Sequence, residues 1–188
     1  QAMDRGAGAL GVTLSREQVR RCRDRALDAR LIDYRDLRPE IHGRFTGIIA
    51  NGSLEHFVQP EDAAAGRADK IYRGFFRTCR RMIRRGDRLA TTAVHFRERD
   101  QVAPEAVLAG SRAHRPGSAE YHFAGVLQEC FGGWYPAPRQ LQLAASRYFV
   151  LEGEADDTAD YARTSAFWLR QFKWSMATRP DVLMRLAS

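Results

Sequence analysis

The 188-residue chain has few of the features that mark secreted, metal-binding or membrane-spanning proteins. It holds three cysteines, Cys22, Cys79 and Cys130, without a C-x-x-C pair, which argues against a disulfide framework or a cysteine metal site. No apolar run approaches the roughly 20 residues that span a bilayer. No leader with a charged and then an apolar region is evident, and the five histidines show no paired spacing. From these absences we expect a cytoplasmic protein with reduced thiols and no metal.

Acidic residues are outnumbered, and the net charge of +7 comes mostly from arginine. Two clusters, at 20–25 and 80–85, fall on predicted amphipathic helices, where arginine can simply face solvent. A basic surface can also attract anionic phospholipid headgroups or nucleic acid. The aromatic-plus-basic strands of RNA-binding modules are missing. We therefore expect no nucleic-acid partner, and peripheral contact with an anionic membrane remains an open alternative to a solvated surface.

Helical and strand-like patterns alternate along the chain and predict a single α/β domain over 1–188, with parallel crossovers. Residues 45–50 are apolar enough to predict a strand buried on both faces. Gly86 is expected to stop the helix predicted at 69–85. In such sheets ligands bind at the carboxyl ends of strands. The predicted helices cover 16–29, 69–85, 104–109, 139–145 and 158–176, and the predicted strands cover 10–12, 31–32, 45–50, 89–96 and 148–151.

Polar side chains follow three of these strands. The Thr13-Leu14-Ser15 turn offers two hydroxyls at a helix start, which can bind ribose or a carboxylate, or can serve as a simple N-cap. Asp33 and the adjoining Tyr34 follow the next strand, where they could bind and cover a base. Glu55 follows the most apolar strand and could balance a positive charge in a cleft, or form a loop salt bridge with the next residue.

Aromatic residues suggest two further features. Trp134 and Tyr135 lie in a glycine-rich turn that could wall an apolar pocket. Tyr161 begins the last aromatic helix, where it is either a core tyrosine with a bonded hydroxyl or part of a site. Neither pattern is specific by itself.

Taken in order, these motifs resemble the cyclopropane-fatty-acid synthases and mycolic acid methyltransferases, over about positions 10–175. The first and last motifs are the most specific. The matching stretches are G-V-T-L-S-x-x-Q at 11–18, D-Y-R at 33–35, E-H-F at 55–57, F-G-G-x-x-P at 131–136 and Y-A-R-T-x-x-x-W at 161–168.

The resemblance implies a Rossmann-like class I methyltransferase fold, with a mostly parallel sheet flanked by helices, and S-adenosylmethionine as cofactor. It implies that 97–145 forms an acceptor-side cap, whose turn shapes the acceptor pocket. In that family a bicarbonate ion acts as base, and Glu55 and Tyr161 match two positions that help hold it. The implied cofactor residues are Thr13, Leu14, Ser15, Gln18, Ile32, Asp33 and Tyr34, and the implied acceptor residues are Phe131, Gly133, Trp134 and Tyr135.

The chain departs from the family pattern in two places. Threonines occupy 91 and 92, where the family has a histidine, and the family's bicarbonate-linked cysteine has no counterpart, so the bicarbonate site is incomplete. Asp4, Gly6 and Gly8 have the D-x-G-x-G spacing of the cofactor loop, but no helix of about a dozen residues separates them from the next strand. We expect a segment missing near 8–9, with the first strand and the C-terminal strands incomplete; the alternative is a relic that binds no cofactor.

The resemblance thus leads us to expect an enzyme that moves a methyl group from S-adenosylmethionine to a carbon of a lipid-like or unsaturated acceptor. Glu55 and Tyr161 would act catalytically. One alternative is a C- or N-methyltransferase of a soluble natural product. The other is a non-catalytic interaction protein on the same fold.

Overall fold

A computed structural model of the chain describes residues 5–179, apart from the side chain of Cys130. The chain divides between residues 150 and 151 into two compact units.

The first unit is α/β, with short parallel strands and helices, as the sequence predicts at this level. Strand β1 (Gly11–Thr13) pairs in parallel with β2 (Ala29–Leu31), and helix α1 (Arg16–Arg23) connects them. Strand β3 (Phe45–Asn51) pairs in parallel with β4 (Ile83–Thr92). Across residues 5–179 the four strands form two separate two-stranded sheets.

The remaining helices follow in chain order, and three of them match their predicted positions closely. These three are α5, α7 and α8, while α2, α3 and α6 were not predicted. The bounds are α2 Pro39–His42, α3 Pro60–Ala64, α4 Ala68–Met82, α5 Pro104–Ala109, α6 Ala119–Val126, α7 Pro138–Ala145 and α8 Thr158–Thr178.

Helix α1 ends at Arg23, so the prediction of a helix through residue 29 is wrong. The amides of Arg25 and Leu27 both donate to the carbonyl of Cys22, at 3.0 Å each, which closes a turn instead of extending the helix. Ala26 sits in this turn at φ 54°, a left-handed conformation that a helix cannot contain. The tight turn lets β2 begin two residues before the predicted strand.

The prediction that Gly86 stops α4 is wrong: Gly86 lies within β4, at φ 93°. Helix α4 ends at Met82 because Ile83 is already extended, with φ −124° and ψ 163°. The strand pairing jumps from Ile83, opposite Phe45, to Arg88, opposite Gly47, so residues 84–87 bulge out of the ladder. The predicted strand 89–96 therefore starts earlier and ends at Thr92.

The core of the first unit forms where one face of α4 meets the turn after β3 and the residues around Trp134. Strand β3 is not buried on both faces: Ile48 and Ala50 pack against this core, whereas Ile49 is 79% exposed. The core side chains are Leu54, Val58, Ala68, Tyr72, Phe75, Phe76, Cys79, Val107, Trp134 and Ala144.

No strand forms at 148–151, which was predicted to be one. The amides of Tyr148 and Phe149 both donate to the carbonyl of Ala145, which continues α7 as a turn. Their side chains pack against the core, whereas Val150 and Leu151 are exposed. An apolar run of four residues thus serves packing at one end and faces solvent at the other.

The second unit contains α8, which has no buried residue along its length. Its aromatic residues Tyr161, Trp168 and Phe172 are all exposed. None of the helices between residues 5 and 179 is both long and apolar enough to traverse a bilayer.

Candidate functional site

The first group of predicted cofactor residues surrounds the turn between β1 and α1. The hydroxyl of Ser15 accepts a hydrogen bond from the amide of Gln18 at 3.2 Å, so Ser15 caps α1 as its sequence position indicates. Thr13 accepts from the amide of Ser15 at 3.2 Å and donates to the side chain of Gln18 at 2.5 Å. Leu14, between them, points into solvent with 71% of its surface exposed.

The second group lies at the same edge of this sheet because β1 and β2 are parallel. Thr13 is directly opposite Leu31, and the amide of Ile32 donates to the carbonyl of Thr13 at 3.2 Å. Asp33 follows at once and accepts from the backbone amide of Arg35 at 2.8 Å. The structure therefore brings together two chain segments, 13–18 and 32–33, that are 14 residues or more apart in sequence.

Asp33 is engaged within its own turn. Its carboxylate pairs with the guanidinium of Arg35 at 2.5 Å, and this hydrogen bond holds the pKa of Asp33 below its ordinary value. The ring of Tyr34 turns away from the edge and stacks on Phe57, with centroids 4.7 Å apart, and it meets Phe75 edge-on. Burial raises the pKa of the Tyr34 hydroxyl.

The predicted glycine loop before β1 makes little contact with the rest of the unit. Gly6 and Gly8 are exposed, and a Cβ placed on either would meet nothing within 4 Å. Residues 7–10 have no helix or strand. Asp4 lies outside the described residues.

Glu55 occupies a one-turn 3-10 helix, Leu54–His56, just after the carboxyl end of β3. The preceding turn is fastened to β4: the amide of Gly52 donates to the carbonyl of Thr92 at 3.1 Å, and the hydroxyl of Thr92 donates to Asn51. Glu55 is only 5% exposed, and its Oε2 atom has no hydrogen-bond partner among residues 5–179. No salt bridge joins it to His56 in this part of the chain, so the loop-salt-bridge alternative finds no support.

Tyr72, on the buried face of α4, is a neighbour of Glu55 that the sequence reasoning missed. Its side chain is fully buried, and its hydroxyl also lacks a partner within the described chain. Burial, and then the negative charges of Glu55 and Asp69, raise the pKa of this hydroxyl. The available signal was the buried face of α4, on which Tyr72 carries a hydroxyl among mostly apolar side chains.

The turn containing the predicted acceptor residues packs directly over Glu55. A Cβ placed on Gly133 would lie 2.7 Å from the carbonyl oxygen of Glu55, so the two backbones are in close contact. The amide of Trp134 donates to the carbonyl of Val58 at 2.9 Å, and its indole N–H donates to the carbonyl of Val102 at 3.0 Å. Both Trp134 and Tyr135 are buried.

Phe131 forms the outer side of this turn. It is about half exposed, and it meets the ring of Tyr135 edge-on with centroids 6.2 Å apart. Phe96 contacts Tyr135 from the segment after β4, at 5.7 Å between centroids. The predicted acceptor residues thus lie in one turn, which contacts Glu55 through Gly133 and has Phe131 as its solvent-facing member.

Tyr161 belongs to the second unit, whereas Glu55 belongs to the first. It is 59% exposed on the first turns of α8 and is not a core tyrosine. His95 is exposed and lies beyond the end of β4.

Chemically, the first unit offers hydroxyl and carboxylate groups at the edge of β1 and β2, and a buried carboxylate beyond β3. A carboxylate oxygen without a partner in low dielectric strongly favours a bound cation or hydrogen-bond donor. No cluster of three or more metal-binding side chains occurs in the described part of the chain. No protein-family model matches the chain, and no curated protein matches it.

Proposed function

We propose that this protein is an S-adenosylmethionine-dependent methyltransferase with a Rossmann-like fold, acting on a carbon of a lipid-like or unsaturated acceptor. The resemblance described above motivates the proposal. The observation that carries it is the shared carboxyl edge of β1 and β2, where Thr13, Ser15, Ile32 and Asp33 meet. That edge is where parallel α/β sheets bind nucleotide-like ligands.

The residues present suit parts of this cofactor. The hydroxyls at the N-terminus of α1 and the carboxylate of Asp33 suit its ribose and adenine groups. The unpartnered Oε2 of Glu55 suits its positive sulfonium. When bound, the cofactor would supply an electrophilic methyl group: an electron pair of the acceptor carbon would form the new bond to the methyl carbon as the methyl–sulfur bond breaks, and the electron pair of that bond would leave with S-adenosylhomocysteine.

In this proposal Glu55 stabilises positive charge on the cofactor and on the acceptor as methyl transfer proceeds. The 133–135 turn covers Glu55 and keeps water away from its carboxylate, which strengthens that interaction. Phe131 borders the acceptor pocket in this proposal. The catalytic role that the resemblance implies for Tyr161, which belongs to the second unit, stays a prediction.

Bicarbonate fits this site poorly, and we derive no step through it. The carboxylate of Glu55 has no cationic partner in the described chain that would offset a second anion beside it. Threonine also replaces the family's histidine at 91 and 92. Methyl transfer without ring closure is the outcome that these residues favour.

Calorimetric titration with two ligands that differ in charge tests this proposal. S-adenosylmethionine carries the sulfonium, whereas S-adenosylhomocysteine has a neutral thioether in its place. We expect Glu55→Gln to weaken binding of the first by about tenfold or more and to leave binding of the second nearly unchanged. Glu61→Gln, an exposed acid on α3, is the matched control and should change neither.

Absence of both binding heat and a thermal shift at millimolar S-adenosylmethionine would defeat the enzyme proposal and favour the non-catalytic relic. Equal weakening of both ligands in Glu55→Gln would show that Glu55 supports the fold instead of the sulfonium. Turnover with water-soluble acceptors alone would favour the natural-product methyltransferase.

A lipid-like acceptor is favoured by the surface of α8. Trp168 and Phe172 are exposed one turn apart, and Arg170 and Lys173 add positive charge along the same helix. Aromatic and basic side chains on one helix suit an anionic membrane surface. We propose that α8 contacts such a surface peripherally, within a protein of net charge +7.

Co-sedimentation with vesicles tests this contact. We expect binding to phosphatidylglycerol vesicles that weakens with added salt, and little binding to phosphatidylcholine. The double variant Trp168→Ser/Phe172→Ser should bind less, whereas Leu151→Ser, an exposed apolar residue outside α8, should bind like the wild type. No binding to either vesicle would remove the membrane contact and leave a soluble acceptor.

A further inference from the structure

A groove of about 280 Å³ lies where α4 faces α7, apart from the site proposed for methyl transfer. Its lining includes four charged side chains: Asp69 and Arg73 from α4, Glu98 from the segment after β4, and Arg139 from α7. Two positive and two negative groups share one concave surface. Which of them pair with each other decides what the groove can bind.

Asp69 and Arg73 are one turn apart on α4, a spacing at which opposite charges commonly pair. Here the carboxylate of Asp69 instead accepts a hydrogen bond from the side-chain amide of Gln140, at 2.7 Å. The guanidinium of Arg73 forms no ion pair with any residue between 5 and 179. The neutral side-chain amide of Gln140 thus binds Asp69, which is the carboxylate that would otherwise pair with Arg73.

Glu98 and Arg139 show the same arrangement. The carboxylate of Glu98 accepts from the backbone amide of Arg139, at 2.5 Å, in the first turn of α7. The backbone amides at the start of α7 need a hydrogen-bond acceptor, because the side chain of the preceding residue, Ala137, cannot cap them. The guanidinium of Arg139, like that of Arg73, has no ion-pair partner in the described chain.

We propose that this groove is a binding site for a small oxyanion, the carboxylate or phosphate group of a metabolite, held between Arg73 and Arg139. Guanidinium groups bind such groups through two parallel hydrogen bonds, and two of them with uncommitted donors stand on facing helices. Asp69 and Glu98 keep the groove electrically balanced when it is empty. Specific recognition therefore depends on hydrogen-bond geometry and only weakly on general attraction of anions.

Titration with inorganic phosphate and with acetate, at constant ionic strength, tests the site in the intact chain. We expect saturable binding followed by calorimetry, and about tenfold or greater weakening in Arg73→Gln and in Arg139→Gln. Arg77→Gln, an exposed arginine on the same helix but outside the groove, is the matched control and should bind like the wild type. Tighter phosphate binding would identify a phosphate ligand, and tighter acetate binding a carboxylate ligand.

The proposal is overturned if neither probe binds saturably at tens of millimolar, or if Arg77→Gln weakens binding as much as Arg73→Gln does. The three arginines are all exposed, and a circular-dichroism melt of each variant checks that the fold is retained. Binding of S-adenosylmethionine is measured in parallel. The result for S-adenosylmethionine does not decide whether the oxyanion site exists, because none of the groove residues belongs to the proposed cofactor edge.

Discussion

Substituting Gly133 by alanine probes the contact between the aromatic turn and Glu55 directly. The new methyl group would lie 2.7 Å from the carbonyl oxygen of Glu55, whereas an ordinary contact begins at 3.4 Å. The two backbones must therefore separate by about 0.7 Å. Neither backbone can move freely, because Glu55 follows a turn that is hydrogen-bonded to β4, and the backbone of Trp134 is hydrogen-bonded to Val58.

Forcing extra volume into a packed region of this kind costs about 1–3 kcal/mol. We expect Gly133→Ala to lower the free energy of unfolding by that amount in a urea titration. Separation of the backbones also admits water to the carboxylate of Glu55. In the proposed enzyme this should weaken binding of S-adenosylmethionine more than binding of S-adenosylhomocysteine.

Gly74→Ala is the matched control. Gly74 lies within α4, and a Cβ there would meet nothing within 4 Å. Alanine should stabilise the protein by up to about 1 kcal/mol, because it is the better helix former. If Gly133→Ala unfolds at the same urea concentration as the wild type, the close approach of the turn to Glu55 is refuted.

Three further predictions concern titration and helix capping. Burial raises the pKa of the Cys79 thiol to about 12. The contribution of the protonated thiol to the free energy of unfolding is therefore complete below the unfolded pKa near 9 and is lost as pH rises toward 12. Cys79→Val should flatten the fall of the unfolding midpoint at alkaline pH, and an unchanged dependence of that midpoint on pH would contradict this. Hydrogen bonds to Arg35 lower the pKa of Asp33 in the folded protein. The contribution of the Asp33 carboxylate to stability is therefore present above about pH 4 and is lost as pH falls through the lower folded pKa. Asp33→Asn should make the unfolding midpoint depend less on pH at acid pH, in the same titration. Ser15→Ala should cost about 1 kcal/mol through loss of the α1 cap, and Ser15→Asp should restore it; equal stability of the two variants would count against the capping bond.

Local signals predicted the elements that carry their own start or packing pattern. Ser15 indicated the start of α1, the prolines at 104 and 138 stand at the starts of α5 and α7, and the apolar stripe through Phe75 and Cys79 indicated α4. The meeting of segments 13–18 and 32–33 was predictable from parallel pairing alone. These features depend on neighbours close in sequence or on one general rule of sheet topology.

The remaining features depend on contacts that a sequence does not display. Gly86 resembles a helix stop, but the pairing of β4 with β3 begins at Ile83 and leaves Gly86 in a bulge. The apolar composition of β3 indicated two covered faces, yet Ile49 is exposed. Tyr72 was overlooked because its position fits an ordinary core residue, and only its unpartnered hydroxyl beside Glu55 distinguishes it.

The stack of Tyr34 on Phe57 has a consequence for how the first unit opens. No backbone ladder joins the β1–β2 pair to the β3–β4 pair in the described chain, so side-chain contacts such as this one must couple them. Amide protons in the two pairs should therefore exchange with solvent as two groups with different opening free energies. Removing the ring with Tyr34→Ala should speed exchange in the β1–β2 group while the β3–β4 group keeps its rate, a separation that a continuous sheet would not permit.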